Sequence, residues 1–166
     1  IFAHVPMILG PDGKKLSKRH GATAVGDYQD RGILPAAMRN FLALLGWAPG
    51  GDREILSETE LVELFSLDGI QKKAAVFDFA KLEWMNGQYL SQLPADALVD
   101  PVRRELDRLG VNGGGRDLRP LIEVTKARAR TVTNVAEQVA VRLDPARAVR
   151  DVKGEALVQK LGPAYT

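Results

Sequence analysis

The residue types best suited to chemistry in this chain lie close together. The stretch "KKLSKRHG", Lys14 to Gly21, sets Lys14, Lys15, Lys18 and Arg19 beside Ser17 and His20, between the glycines Gly13 and Gly21. Lysines on a glycine-flanked loop can swing onto a polyphosphate as mobile point charges, and a hydroxyl with exposed amides adds hydrogen-bond donors. A Walker-type loop needs G-x-x-x-x-G-K-[ST]; here Gly10 and Gly13 are too close together and Lys14 is followed by Lys15, so that motif is absent. Composition alone leaves four readings of the tract: a solvated loop, a localisation signal, a generic nucleic-acid patch or a phosphate grip.

The rest of the chain narrows the setting. A formal net charge of +2 over 166 residues is too small to imply a polyanion partner, so any nucleic-acid binding has to come from local patches. With no cysteine, neither a disulfide nor a thiolate zinc site can form within these residues. His4 and His20 have no carboxylate cluster around them in sequence, and no metal site is expected. No apolar run approaches the roughly 20 residues that span a bilayer, so no membrane partner is expected either. The opening "IFAHVPMILG" has no initiator methionine and no signal-peptide pattern, and it reads as the middle of a longer protein.

The elements that must position the tract follow from local pattern. "HVPMIL", His4 to Leu9, predicts a strand, and "GPDG" a turn after it. Met38, Phe41, Leu42 and Leu45 recur at helical spacing behind Pro35, with Gly46 past the end. Ser57 and Glu60 form a capping box for a second helix, with Leu56 and Leu61 as its staple and Leu61, Leu64 and Phe65 as its buried stripe. "AVFDFAKLEWMNGQYL" predicts a third helix capped by Asp78, burying Leu82 and Met85 and ending near Asn86–Gly87. "DPVRRELDRLG" predicts a helix with Asp100 as cap, Pro101 in its first turn and Gly110 at its end. Further helices are expected from Pro120 to about Arg130, from about Val135 to Leu143, and in a short run toward Leu161. The change in texture near residue 93 divides the chain into 1–93 and 94–166.

"ILGPDGKKLSKRHG" resembles the K-M-S-K-S signature loop of class I aminoacyl-tRNA synthetases, in the "KLSKRHG" form found in bacterial-type glutamyl-tRNA synthetases. "LPAAMRNFLALLGWAPGGDREI" and "AVFDFAKLEWMNGQYL" are similar to two further stretches of that family, in the same order, and together these cover roughly residues 2 to 92. "LIEVTKARARTVTNVAE" is weakly similar to its helical anticodon-binding region. The resemblance implies a mainly α fold: a short strand and signature loop ending a catalytic domain, then a stem-contact-type helical fold within 1–93, and an all-helical anticodon-binding-type region over 94–166. It implies activation of glutamate with ATP and Mg²⁺ and transfer to the 3′ end of the glutamate tRNA, by a cytoplasmic monomer.

Carried onto this chain, the motif makes Lys18 the catalytic lysine that approaches the ATP phosphates, where positioned charge lowers the barrier. Lys15, Leu16, Ser17 and Arg19 complete the nucleotide-binding loop; Leu16 stands in the methionine position and Arg19 in that of the final serine. His20 is assigned no catalytic role, only that of an imidazole that helps to shape the loop, and His4 is expected to be structural rather than catalytic. The H-I-G-H element and the glutamate-recognition residues belong to an N-terminal half that these residues do not include, so the chain alone is expected not to aminoacylate.

Elsewhere, Trp47, Phe77, Phe79, Leu82 and Trp84 are expected in the core. Lys72, Lys73 and Lys81, and then Arg103, Arg104, Arg108, Lys126, Arg128 and Arg130, are candidates for RNA backbone contact, against the plainer reading of solvated helix faces. A non-catalytic RNA-binding module that keeps the loop as a basic patch is the alternative function. A tRNA-modifying paralogue is disfavoured because it would lack the helical region after residue 95. The glutaminyl branch is disfavoured by its different loop and its β-barrel anticodon region.

Overall fold

Pro35 opens the first long helix because its missing N–H costs nothing in a first turn and its fixed φ suits the helix. In the computed structural model, which describes residues 2, 4–21 and 24–148, that helix is α2, Pro35–Leu44, preceded by a short α1, Val25–Asp30. Helix α3, Glu58–Leu64, begins where the Ser57–Glu60 pair caps it, and α4, Phe79–Gln92, begins where Asp78 accepts from the Lys81 amide at 3.1 Å. Three helices follow: α5, Ala95–Arg108; α6, Arg119–Lys126; and α7, Val132–Leu143, capped by the Thr131 hydroxyl. The only sheet among the described residues is a parallel pair, β1 (Ile8–Leu9) and β2 (Ala75–Val76), with Ile8 opposite Ala75. The architecture is mainly helical, as the resemblance implied. The short helix expected toward Leu161 lies outside the described residues.

Several boundaries differ from the local pattern, each for a tertiary reason. The strand expected from His4 contracts to Ile8–Leu9, because only those residues find a partner in β2. His4, expected on that strand, is exposed and lies outside it. Helix α4 does not stop at Asn86–Gly87. Leu90, one turn on, is fully buried, and Gly87 lets a neighbouring loop approach so closely that a Cβ there would lie 3.0 Å from the Ala129 carbonyl oxygen. Helix α5 starts at Ala95 rather than at Asp100, which leaves Pro101 inside it. An interior proline costs about 3 kcal/mol. Leu98, Val102 and Leu106 are each at most 1% exposed on one stripe, and each such burial returns about 1.5–3 kcal/mol. In α3 the expected buried stripe does not form: Leu61 is half-buried and Leu64 and Phe65 are exposed, with Phe65 tilted onto Trp47 at 6.0 Å between ring centroids.

Two apolar clusters form. The first gathers Tyr28, Ile33, Met38, Phe41, Leu45, Leu82 and Met85, with Ile8, Phe77, Phe79 and Trp84 packed against it. Phe77 stands edge-on to Phe41 at 4.9 Å. Trp47 and Leu82 are buried, as expected, while Phe77, Phe79 and Trp84 are half-buried at the rim. The second cluster is built from α5, α6 and α7 together with Leu90, and Leu34 packs against it.

Candidate functional site

The basic tract is held from both edges of β1. On one side the "GPDG" turn folds the chain back: the Gly10 amide donates to the Lys14 carbonyl at 2.7 Å, and the Leu16 amide to the Ile8 carbonyl at 3.0 Å. On the other side β2 pairs with β1, and the Phe77 amide donates to Leu9 O at 2.8 Å. Since Phe77 and Asp78 lead straight into α4, the loop is fastened to the start of the longest apolar helix of the first cluster.

Beyond Leu16 the chain winds into one short 3₁₀ turn, Lys18–His20, closed by the His20 amide on Ser17 O at 2.9 Å. It leaves that turn through Gly21 at φ 100°, a conformation that glycine adopts freely. Leu16 and Ser17 are half-buried. Leu16 lines a cleft of about 680 Å³ together with Pro11, His20, Tyr28, Arg31 and Phe79. The Arg31 guanidinium closes one wall of this cleft, 5.1 Å above the Phe79 ring.

Lys14, Lys15, Lys18 and Arg19 all point outward and are exposed. None of these side chains makes a hydrogen bond or ion pair with another described residue. Asp12, the acid of the turn before the tract, is already engaged. It accepts from the Lys14 amide at 3.0 Å and from His20 Nε2 at 3.1 Å. That amide first, and then the imidazole, hold the Asp12 carboxyl below the usual carboxylate range. The result is a cluster of unneutralised cations on a bent, pinned backbone. Chemically it suits a phosphate chain. Lys15, Leu16, Ser17, Lys18 and Arg19 are brought together on one loop; His20, read from sequence as at most shaping it, bonds both the Ser17 amide and Asp12. Its signal was invisible locally, because Asp12 stands across the turn and not at any helical spacing.

The other candidates divide. Lys126 is buried: its Nζ donates to Leu93 O at 2.6 Å and pairs with Glu123 at 3.0 Å, so it is structural and unavailable for RNA. Arg103 donates to Gly114 O at 2.9 Å and braces the glycine-rich loop. Arg108 pairs with Glu105 at 2.9 Å and Asp30 at 3.4 Å, and Lys81 pairs with Glu54. Lys72, Lys73, Arg104, Arg128 and Arg130 are exposed and keep free heads among the described residues. No group of three or more His, Cys, Asp or Glu among the described residues is arranged to hold a metal ion, and no described helix is long and apolar enough to cross a membrane.

Residues 1–84 match the family described as tRNA synthetases class I (E and Q), catalytic domain. Among curated proteins, the chain is 51% identical over 140 residues to glutamate–tRNA ligase 2 of Koribacter versatilis, covering 82% of this chain and 29% of that protein. It is 45% identical over 145 residues to the glutamate–tRNA ligase of Desulforudis audaxviator, covering 84% and 29%. Among solved structures, glutamate–tRNA synthetase from Elizabethkingia anophelis superposes with a TM-score of 0.75 at 29% identity, over 96% of this chain and 37% of that one. A glutamate tRNA ligase from Elizabethkingia meningosepticum, solved in complex with its amino acid, gives 0.69 at 32% identity over 81% and 30%. The chain thus spans 29% of the length of the first two of these relatives.

Proposed function

Since the chain belongs to the class I tRNA synthetases of the E and Q type, we propose that it is the part of a glutamate–tRNA ligase that carries the K-M-S-K-S-type loop and the beginning of the tRNA-binding region. In this reading, residues 1–93 end the catalytic domain and form the stem-contact fold, and 94–166 open the helical anticodon-binding region. The parent enzyme works in the cytoplasm as a monomer, on glutamate, MgATP and the glutamate tRNA. The observation that carries the reading is the outward set of cations on the pinned loop, with Lys18 opening its 3₁₀ turn and no acidic partner for its ammonium among the described residues.

Each residue has a task. Lys18 places its ammonium against the α-phosphate and the departing pyrophosphate. There it stabilises charge that grows as the glutamate carboxylate attacks the α-phosphorus and pyrophosphate leaves. Lys15 and Arg19 hold the outer phosphates, Ser17 offers a hydroxyl and an amide at the start of the turn, and Leu16 seats the loop in its apolar cleft. The nucleotide's remaining contacts and the amino-acid site come from the part of the parent outside these residues.

The test is glutamate-dependent ATP–pyrophosphate exchange by the full-length parent with tRNA present. Lys18→Ala lowers kcat about 10²–10³-fold, the usual loss when one preorganised charge-stabilising group is removed. An unchanged rate would take the role from Lys18. A loss confined to tRNA affinity would favour a non-catalytic RNA-contact loop instead.

A further inference from the structure

We propose that His20 is a positioning residue for the phosphate-binding loop: as a neutral ring protonated on Nε2, it ties the Asp12 turn to the Ser17 amide and so aims Lys18 and Arg19. The proposal rests on the reading of the loop as ATP-binding given above.

The tautomer follows from the hydrogen bonds. The Ser17 amide donates to Nδ1 at 3.1 Å, so that nitrogen carries a lone pair and no proton. The Ser17 hydroxyl stands 3.3 Å from the same nitrogen and can share it. Nε2 then holds the proton and donates to Asp12 Oδ1 at 3.1 Å. Asp12 is itself oriented by the Lys14 amide at 3.0 Å. The chain of contacts runs from the Lys14 backbone through Asp12 and the imidazole to the Ser17 backbone, spanning the tract from its first lysine to the start of the 3₁₀ turn.

The ring is also seated, not merely bonded. Its side chain is 9% exposed, and it lies so close to Gly10 that a Cβ there would stand 2.9–3.0 Å from Nε2, Cδ2 and Cε1. Glycine at position 10 is what lets the imidazole reach across. Other charged groups nearby are Arg19, whose charge acts on Asp12, and Arg31 and Asp78, which line the same cleft. A protonated ring would present N–H to the Ser17 amide and break the tie, so the neutral form is the one that holds the turn. Among the described residues Lys18 and Arg19 have no side-chain hydrogen-bond or ion-pair anchor, so the direction of the Ser17–Lys18 backbone decides where their charges sit. A displacement of about 1 Å in such a group is enough to cost a large factor in rate.

The experiment uses the full-length parent and compares His20→Ala, His20→Asn and His20→Gln in ATP–pyrophosphate exchange. The Asn amide oxygen occupies the place of Nδ1 and can accept from the Ser17 amide. The Gln amide reaches toward Asp12 but offers nothing at Nδ1. The expected result is a kcat about tenfold lower for Ala, the size of one net hydrogen bond, with KM for glutamate unchanged. Asn recovers most of that loss and Gln does not. If Ala proves unstable, the Asn–Gln comparison alone decides. A parental kcat for Ala, equal values for Asn and Gln, or a loss seen only in KM for glutamate would overturn the positioning role. The reading on which it rests fails separately: if Lys18→Ala exchanges at the parental rate, the loop is not ATP-binding and the proposal goes with it. If Lys18→Ala is deficient while His20→Ala is parental, only the positioning role falls.

Discussion

Asn86 Nδ2 donates to the carbonyl oxygen of Arg130 at 2.7 Å, joining the middle of α4 to the turn between α6 and α7 across 44 residues of sequence. The same amide donates to Gly32 O at 3.2 Å and accepts from the Leu34 amide at 2.8 Å. Three segments meet on one fully buried side chain. A second thread runs beside it, from the Val132 amide to Gly32 O at 3.0 Å. The loop-bearing first cluster and the helices of the second are thereby registered on each other through backbone groups.

Asn86→Ala leaves all three backbone groups without this partner, and the expected loss of stability is about 2–4 kcal/mol, well above a typical surface change. Asn86→Asp keeps an acceptor for the Leu34 amide but turns a carboxylate toward two carbonyl oxygens, so it is expected to be at least as damaging. Urea unfolding of the parent and both variants measures this. A loss under about 0.5 kcal/mol for Ala would show that water replaces the side chain without cost.

Glu60 reports the cap of α3. The Ser57 amide and hydroxyl both donate to its Oε2 at 2.8 Å, and Arg53 pairs with its other oxygen. The Ser57 amide first, then the hydroxyl, then Arg53, lower its pKa from 4.5 to about 2. The folded value lies below the unfolded one, so the cap's contribution is complete above the ordinary glutamate range and is lost as pH falls toward 2. Thermal unfolding of the parent and Glu60→Gln should therefore differ at pH 6, with the gap narrowing progressively as pH falls toward 2 and Glu60 takes up its proton. A gap that stays constant across that range contradicts the capping role.

Lys126 and its neighbour Arg128, two residues apart, are expected to behave as different kinds of residue. Lys126→Ala strips the donor from Leu93 O in a buried place and should cost about 1–3 kcal/mol of stability. Arg128→Ala and Arg104→Ala should leave stability within about 0.5 kcal/mol. If these arginines touch tRNA phosphate in the parent, each substitution weakens tRNA binding and lowers the salt slope by about 0.9 per contact. Filter binding at several salt concentrations separates the two behaviours. An unaltered slope for both arginines removes them from the RNA surface.

Much of this molecule was legible in sequence because the deciding interactions are short-ranged. Ser57 with Glu60, Asp78 before Phe79 and Pro35 at a first turn each act within four residues, and each starts a helix where pattern places it. The cationic tract, its flanking glycines and the turn before it were likewise plain to read, and so were the buried Met38, Phe41, Leu82 and Met85.

What local pattern missed depends on partners far along the chain. "NG" at 86–87 carries a turn signal, yet there it is the meeting point of α4 with Gly32 and Arg130, where a buried amide and a missing Cβ are needed in mid-helix. "DP" at 100–101 carries a helix-start signal, yet burial of Leu98 ahead of it extends α5 back to Ala95. "AV" at 75–76 became a strand only because β1 offered it an edge. Lys126 looks like any solvated lysine until Leu93 O comes within reach, and His20 looks like one more basic residue until the turn brings Asp12 to its ring. The amino-acid sequence by itself determined which residues could start helices and which charges gather on one loop, because those depend on neighbours a few bonds apart. Which helices run through their own stop signals, which cations stay free, and how the loop is aimed were decided only in the tertiary structure. There, burial and hydrogen bonds between residues far apart in the chain outweigh a local preference of about 1–3 kcal/mol.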